Sequence, residues 1–334
     1  MESLLEVERL VTVLDTDLGS ARAVDGVSFG IGRAEIVGLV GESGCGKTMT
    51  ALSIMRLLPE PIGRIAEGSI VFEGRDLVRI SEKEMRGVRG NKISIVFQEP
   101  LTSLNPVFTC GEQVREAIAL HLRLGRKASK ERAIEMLRLV RMPEPEKRYS
   151  SYPHQMSGGM RQRVMIAMAL SCEPALVIAD EPTSALDVSV QGQIIELLRE
   201  LQGRLRMAVL LITHDLAVVA ELASRVLVMY AGSIVEEAPT DELFARPSHP
   251  YTEGLIGSLA RAARRGARLA AIPGNVPDPF HLPRGCRFSD RCVFRIERCT
   301  AEEPPLFAVA ERHGARCWLR EGATGGGSGA ARNA

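Results

Sequence analysis

The sequence predicts an α/β fold, with a mixed, mostly parallel sheet, an inserted α-helical subdomain and a small C-terminal cysteine-rich extension. Apolar runs of strand length alternate with amphipathic segments up to about residue 100 and again from 155 to 240. That alternation is typical of strands joined by crossover helices. Between residues 100 and 155 the apolar residues follow helical spacing only, which indicates the insertion.

The individual elements follow from the same periodicity. In the inserted subdomain we expect two helices between residues 111 and 142, because Ala133, Leu137 and Val140 recur at the spacing of one helical face. Strands are expected at residues 5–13, 24–31, 34–40, 67–72, 92–97, 175–180 and 207–213, and further strands are expected up to residue 235. Helices are expected at residues 49–58, 158–171 and 188–205, with a short one ending near 223 and a charged helical turn at 81–89.

The composition narrows the class of protein. The 334 residues are 45% hydrophobic and 25% charged, an ordinary balance for a globular protein, and the net charge of +1 gives no basis for binding a polyanion. No run approaches the roughly 20 apolar residues of a membrane-spanning helix, and the first residues lack the pattern of a secretory signal. We therefore expect a cytosolic protein whose membrane role would require partner chains.

A phosphate-binding loop is the strongest motif in the sequence. Residues 41–48 read GESGCGKT, which matches G-x-x-x-x-G-K-[ST] between an apolar strand and a helix. Glycines let the backbone N–H groups turn toward phosphate oxygens, Lys47 is expected to reach the β- and γ-phosphates, and the Thr48 hydroxyl is expected to bind Mg²⁺. The candidate nucleotide-binding residues are Gly41, Glu42, Ser43, Gly44, Cys45, Gly46, Lys47 and Thr48.

Two further strands end in residues suited to hydrolysis. Residues 175–181 read ALVIADE, so Asp180 is expected beside Mg²⁺ at the carboxyl edge of the sheet and Glu181 beside the attacking water. An isolated Asp-Glu pair is often a solvated loop, and only the phosphate-binding loop raises this pair above that interpretation. His214 follows the strand at 207–213 and is expected to contact the γ-phosphate, although a lone histidine there is often a helix cap.

Residues 156–163, MSGGMRQR, resemble the signature sequence of ABC ATPases, with Met156 where leucine is common. In that family the start of this helix binds ATP held by the opposite subunit, which implies a head-to-tail dimer. The resemblance assigns this contact to Ser157, Gly158, Gly159 and Gln162. It also implies that Gln98 senses Mg²⁺ and acts in catalysis, and that residues 184–187 cross the dimer interface. The implied core fold is that of a RecA-like P-loop NTPase.

Several segments resemble, more narrowly, the ATPases of dipeptide, oligopeptide and nickel importers: QEPLTSLNP, DEPTSALDV, LITHDLAVVAE and HPYTEGL. The resemblance implies an ATP-hydrolysing subunit on the cytoplasmic face of the membrane. Its implied partners are a homologous ATPase subunit in a heterodimer, two transmembrane permease subunits and an extracytoplasmic solute-binding protein. The implied domains are 1–240 for the ATPase, with the helical subdomain at about 100–155, and 241–320 for the extension. The Gly/Ala/Ser-rich residues 321–334 are expected to be a disordered tail.

Two features leave alternatives open. The family often stacks an aromatic ring on adenine from the first strand region, but residues 10–14 read LVTVL, so Val13 or Leu14 is expected to give apolar contact alone.

The alternative functions are import of nickel or another solute, or an ABC ATPase acting on DNA or ribosomes. The chain lacks a second ATPase module, long coiled-coil arms and the basic stripe of a nucleic-acid binder, which disfavours the last alternative.

The C-terminal region contains four cysteines: Cys286, Cys292, Cys299 and Cys317. Four thiolates in a short segment suit zinc or an iron–sulfur cluster, and the spacing matches neither the tight pairs of structural zinc sites nor the compact ferredoxin run. The resemblance to peptide-importer ATPases favours a [4Fe–4S] cluster, with zinc as the alternative. Either group would stabilise a segment that has little core of its own.

Overall fold

The computed structural model describes residues 3–184, 186–262 and 272–322, so most of the expected tail at 321–334 lies outside the described residues. Its strands are β1 Ser3–Thr16, β2 Gly19–Gly32, β3 Ile36–Val40, β4 Gly63–Phe72, β5 Arg75–Asp76, β6 Ile93–Val96, β7 Leu176–Asp180, β8 Ala208–Thr213, β9 Arg225–Tyr230, β10 Ser233–Pro239, β11 Phe307–Ala310 and β12 His313–Ala315. Its helices are α1 Lys47–Met55, α2 Glu82–Val88, α3 Pro100–Ser103, α4 Cys110–Leu122, α5 Arg126–Leu139, α6 Pro145–Tyr149, α7 Gly158–Leu170, α8 Val188–Leu205, α9 Leu216–Leu222, α10 Thr240–Ala245, α11 Pro250–Ala262 and α12 Arg298–Ala301.

The larger sheet in the described residues has the strand order β11-β12-β10-β9-β3-β8-β7-β6. Strands β9, β3, β8, β7 and β6 pair in parallel, which confirms the predicted mixed, mostly parallel core. Strand β3 lies inside this parallel part, between β9 and β8, and its Val37, Leu39 and Val40 are at most 1% exposed. A strand covered on both faces reads as a continuous apolar run, as residues 34–40 do.

The second sheet is antiparallel, with the order β2-β1-β4-β5. The periodicity of the sequence predicts its main strands but not their separation into another sheet. Strands β1 and β2 form a long hairpin, paired from Thr16↔Gly19 to Ser3↔Gly32. Periodicity identifies a strand and its buried face, but it does not identify the pairing partner, because that depends on long-range packing.

The predicted helical subdomain is present, and it contains the short helices α3 and α6 besides the two expected helices, α4 and α5. Helix α4 begins after Thr109, whose hydroxyl accepts a hydrogen bond from the Glu112 backbone N–H at 3.4 Å. Helices α4 and α5 pack on each other and on α7, with fully buried side chains such as Val114 and Leu137 between them. A Cβ atom at Gly111 would lie 2.1 Å from the Tyr149 ring, so this close approach requires glycine.

The extension continues the larger sheet, which the sequence analysis did not predict. Strand β12 pairs antiparallel with β10, and β11 pairs with β12. At this junction the fully buried Glu236 carboxyl accepts hydrogen bonds from the backbone N–H groups of Ser248 at 2.6 Å and His249 at 2.8 Å. The Nε2 atom of His313 lies 2.8 Å from the same carboxyl. These contacts join α11 and β12 to β10.

Within the part of the chain that the structure describes, no helix combines the length and apolar character needed to cross a membrane.

Replacing Glu236 by alanine should lower the free energy of unfolding by about 3 kcal/mol, because two buried N–H groups and a buried imidazole would lose their partner. Urea unfolding followed by the fluorescence of Trp318, the single tryptophan, measures this change in the extension itself. Glu237→Ala is the matched control, since Glu237 is partly exposed and makes only a 4.0 Å ion pair with Arg225. Equal effects of the two substitutions would contradict this account of the junction.

Candidate active site

The phosphate-binding loop lies between β3 and α1, as predicted. Gly46 caps α1 with a φ of +109°, and a Cβ atom there would lie 2.4 Å from the Ala23 carbonyl oxygen. Both the left-handed backbone and the close approach therefore require glycine. The N-terminus of α1 points its free N–H groups at the loop, an arrangement that favours binding of an anion.

The Lys47 side chain folds back over the phosphate-binding loop. Its ammonium group donates to the carbonyl oxygens of Gly41 at 2.8 Å and Glu42 at 3.0 Å, and the residue is 5% exposed. These bonds hold the positive charge over the loop, where phosphate oxygens are the natural acceptors.

Part of the predicted loop lines a cavity of about 570 Å³, namely Ser43, Gly44, Gly46, Lys47 and Thr48. Two loop side chains point elsewhere. Cys45 is 1% exposed, and burial raises the pKa of its thiol. The Glu42 carboxylate forms two hydrogen bonds to Arg291, of 2.6 and 3.0 Å. The side chains of Cys45 and Glu42 therefore shape the loop and do not face the cavity.

Asp180 ends β7 beside Thr48. The carboxyl is 3% exposed, and its Oδ1 atom has no hydrogen-bond partner. Burial raises the pKa of Asp180, while a hydrogen bond from Thr48 opposes that shift. A buried oxygen without a partner, next to a hydroxyl, fits a hard divalent cation such as Mg²⁺, which prefers oxygen ligands. These two residues would hold the ion.

Glu181 lies between two nitrogen groups. The Gln98 amide donates to its Oε2 atom at 3.2 Å, and the His214 Nδ1 atom lies 3.1 Å from its Oε1 atom. The three residues follow β6, β7 and β8, whose carboxyl ends meet at one edge of the sheet. Glu181 has a φ of +46°, a conformation that is costly for a residue with a side chain and is concentrated at functional sites. All three side chains line the cavity.

The signature residues lie outside this cavity within the same chain. Ser157 caps α7 by accepting from the Met160 N–H at 3.3 Å, and both Ser157 and Gly158 are exposed. A Cβ atom at Gly159 would lie 2.6 Å from Val190, so glycine allows α7 to approach α8 closely. Gln162 differs from expectation. It is 1% exposed, so the structure does not present its side chain to a partner subunit.

The extension contributes to the cavity, which sequence reasoning missed. Val276, Pro277, Pro279 and Leu282 line it together with Leu14. Of the two residues expected to contact a base, Leu14 lines the cavity, while Val13 is 6% exposed and packs inside. The extension segment contains no recognisable nucleotide motif, so nothing in the sequence marked it.

The extension also contacts the phosphate-binding loop itself. The Tyr251 hydroxyl accepts a hydrogen bond from the Glu42 N–H at 2.8 Å. Arg291, whose side chain is 5% exposed, pairs with the Glu42 carboxylate. The HPYTEGL segment, one of those that carry the resemblance to importer ATPases, therefore places Tyr251 against the phosphate-binding loop.

The four C-terminal cysteines line one small cavity with His249, Phe288 and Trp318. Cys299 and Cys317 are buried, and Cys286 and Cys292 are partly exposed. Burial raises the pKa of the Cys286 thiol to about 12, and the neighbouring cysteines add to this shift. In the described residues, no three histidine, cysteine or acidic side chains are placed so that they could hold one metal ion.

Family models match two parts of the chain. The ABC transporter model matches residues 24–184, and the model of the oligopeptide/dipeptide transporter C-terminal region matches residues 235–299. A probable peptide ABC transporter ATP-binding protein of Sinorhizobium fredii is 52% identical over 316 residues, which cover 94% of each chain. A dipeptide transport ATP-binding protein of Bacillus subtilis is 48% identical over 321 residues, which cover 96% of each chain.

Solved structures agree with this fold. A dimeric post-hydrolysis ATP-binding cassette bound to ADP and phosphate has a TM-score of 0.64 and 27% identity, and the match covers 71% of this chain and 98% of that one. A subunit of an ABC transporter complex from Clostridium perfringens has a TM-score of 0.62 and 27% identity, covering 74% of this chain and 92% of that one. With its phosphate-binding loop and acidic strand end, the chain is an ATPase and belongs to the family of ABC transporter ATP-binding subunits that have the oligopeptide/dipeptide transporter C-terminal region.

Proposed function

We propose that this ATPase drives the uptake of di- or oligopeptides across a membrane through separate permease subunits. The observation that carries ATP hydrolysis is the group formed by Gln98, Glu181 and His214 in the cavity of the phosphate-binding loop. The relatives named for peptide or dipeptide transport match over almost the whole chain, including the extension. This full-length similarity favours a peptide cargo over nickel.

ATP would enter with its β- and γ-phosphates at the loop. Lys47 exchanges its bonds to the loop carbonyls for bonds to phosphate oxygens, and the N–H groups at the start of α1 bind the remaining oxygens. Thr48 and Asp180 would hold Mg²⁺, which would supply positive charge to neutralise the phosphates. The Asp180 oxygen that lacks a partner supports this assignment.

Glu181 is the proposed general base. It accepts the proton of a water that attacks the γ-phosphorus in line with the leaving β–γ bridging oxygen. Gln98 and His214 fix the two oxygens of its carboxylate, so the side chain has little rotational freedom left to lose in the transition state. His214, whose side chain is 62% exposed, can also donate to a γ-phosphate oxygen, and Gln98 can also contact Mg²⁺.

The signature helix is proposed to act in a partner subunit's site. Ser157 and Gly158 are exposed at the N-terminus of α7, outside their own chain's cavity, where the helix end favours an anion. The subunits would meet head to tail, and the dimeric cassette among the structural neighbours supports a dimer. We propose that the second subunit is a homologous ATPase, so that the two form a heterodimer. The buried Gln162 is left out of this contact.

The proposed assembly places the chain on the cytoplasmic face of a membrane. Two permease subunits would carry the cargo, and an extracytoplasmic solute-binding protein would deliver it. Residues 1–240 would form the ATPase domain and residues 241–320 the extension.

The four cysteines are proposed to bind a [4Fe–4S] cluster, with a single zinc ion as the alternative. All four thiols face one cavity, which supports a shared group. Four sulfurs around one zinc ion at about 2.3 Å must lie close together, and the described residues contain no such grouping. The bound group would fix an extension segment that has little core.

Glu181→Gln should reduce ATP turnover by about 10²–10⁴-fold and leave ATP affinity nearly unchanged, because the amide cannot accept the proton but preserves the shape of the side chain. Phosphate release and equilibrium ATP binding measure the two effects separately. Glu131→Gln, at an exposed position of α5, is the control. Turnover of the Glu181 variant within threefold of the unsubstituted protein would rule Glu181 out as the base.

Anaerobically purified protein should contain about four iron and four sulfide per chain, and Cys292→Ser should lose most of both. Cys172→Ser, at a buried cysteine between α7 and β7, should retain them. The measurement is elemental analysis together with acid-labile sulfide. About one zinc per chain would establish the alternative, and neither metal in the unsubstituted protein would refute a bound group.

ATP turnover in vesicles that contain the permease subunits should rise when a peptide-loaded binding protein is added. The stimulation follows from coupling between cargo delivery and closure of the ATPase dimer. Nickel-loaded binding protein, DNA and ribosomes are the comparison ligands. If only the nickel-loaded binding protein stimulates turnover, the cargo is nickel and not a peptide. Stimulation by DNA or ribosomes without permease would overturn the transport function.

A further inference from the structure

The cavity at the phosphate-binding loop has two chemically different parts. Its polar part is formed by the residues assigned above to phosphate, Mg²⁺ and water. Apart from Arg22, the rest is largely apolar and comes mainly from the β1–β2 hairpin and from the extension: Leu14, Ala21, Ala23, Val276, Pro277 and Leu282. Because the polar part takes the triphosphate, the adenosine of ATP is left with the apolar part.

The hairpin alone offers a purine little surface. Residues 10–14 contain no aromatic ring, and the hairpin's apolar side chains in the cavity are one leucine and two alanines. A planar base gains most when both of its broad faces meet apolar atoms. The second surface is present in this structure, because extension residues Val276, Pro277 and Leu282 are partly buried and line the same cavity.

The extension segment is held against the loop by specific contacts. Arg291 donates to the carbonyl oxygens of Ile272 at 3.0 Å and Pro273 at 2.9 Å, immediately before this segment. The same guanidinium donates to the Glu42 carboxylate of the phosphate-binding loop. At the other side, the Phe280 ring lies 4.0 Å from the position that a Cβ atom of Gly19 would occupy, at the hairpin turn.

We infer that residues 276–282 of the extension form the base-side wall of the ATP site, and that Arg291 is a positioning residue that holds this wall and the phosphate-binding loop together. The inference rests on the proposed function, because it requires ATP in this cavity. Valine, proline and leucine contact the faces of a purine without reading its polar edge. The wall therefore contributes affinity for adenosine and guanosine alike.

The test compares ligands with and without a nucleoside. Val276→Ala and Leu282→Ala, made in the full-length chain, are titrated calorimetrically with Mg²⁺-ATP, Mg²⁺-GTP and Mg²⁺-tripolyphosphate. Each substitution should weaken both nucleotides by roughly three- to tenfold, because buried methyl or methylene groups are lost, and should leave tripolyphosphate binding unchanged. Val293→Ala is the matched control, because Val293 is in the same extension but is 83% exposed.

Arg291 has a different expected signature. Arg291→Met should weaken the binding of ATP and of tripolyphosphate together, because Arg291 would no longer hold the phosphate-binding loop or the wall in place. Glu42→Gln combined with Arg291→Met should be no weaker than Arg291→Met alone, since both substitutions break the same contact. Additive losses would show that the two residues act independently and would refute the positioning role.

The outcomes separate the wall from the ATPase assignment. ATP affinity within twofold of the unsubstituted protein in both wall variants would refute the inference. Equal weakening of ATP and tripolyphosphate in those variants would also refute it, because the defect would then be a general distortion of the site. Failure of the unsubstituted chain to bind ATP or tripolyphosphate would instead overturn the proposed use of the cavity.

Discussion

The shape of the phosphate-binding loop is imposed from outside the loop, and the active site depends on that constraint. A loop that offers its N–H groups to phosphate cannot use all of them to stabilise itself. Here the Cys45 carbonyl accepts from the Gly232 N–H at 2.8 Å, and Gly46 is pressed against the Ala23 carbonyl. The Glu42 carboxylate is tied to the extension. The antiparallel sheet, the larger sheet and the extension thus surround the loop.

The same site balances buried charges of opposite sign. Lys47 and Asp180 are both nearly inaccessible, and the pKa of Asp180 is raised by its burial. An unpaired buried charge is costly, so each requires a partner. Lys47 donates hydrogen bonds to backbone carbonyls, whereas the hydrogen bond from Thr48 satisfies only part of the Asp180 carboxylate. Binding of a phosphate with its cation satisfies both residues together, which links affinity for the nucleotide to affinity for Mg²⁺.

Sequence alone predicted the parallel core and pointed to the residues that we propose for catalysis, because those features are local. The motif at 41–48 specifies a loop between a strand and a helix. Asp180, Glu181 and His214 follow apolar strands whose carboxyl ends meet at one edge of the sheet. The separate antiparallel sheet and strands β11 and β12 were missed, since strand pairing depends on contacts between distant residues. The burial of Gln162 was missed because a signature pattern does not show which side of the helix packs inward.

The extension shows most clearly what local patterns leave out. Its residues are rich in proline and arginine and carry no periodicity, but two of its arginines are almost buried and bind the ATPase core. Arg287 pairs with Asp25 on β2 at 2.6 Å, and Arg291 pairs with Glu42. Each arginine is the immediate neighbour of a cysteine, Cys286 and Cys292 respectively. Residues that are adjacent in the sequence are held close together by the backbone. A group that fixes these two cysteines therefore also restricts both arginines, and with them the base side of the ATP site.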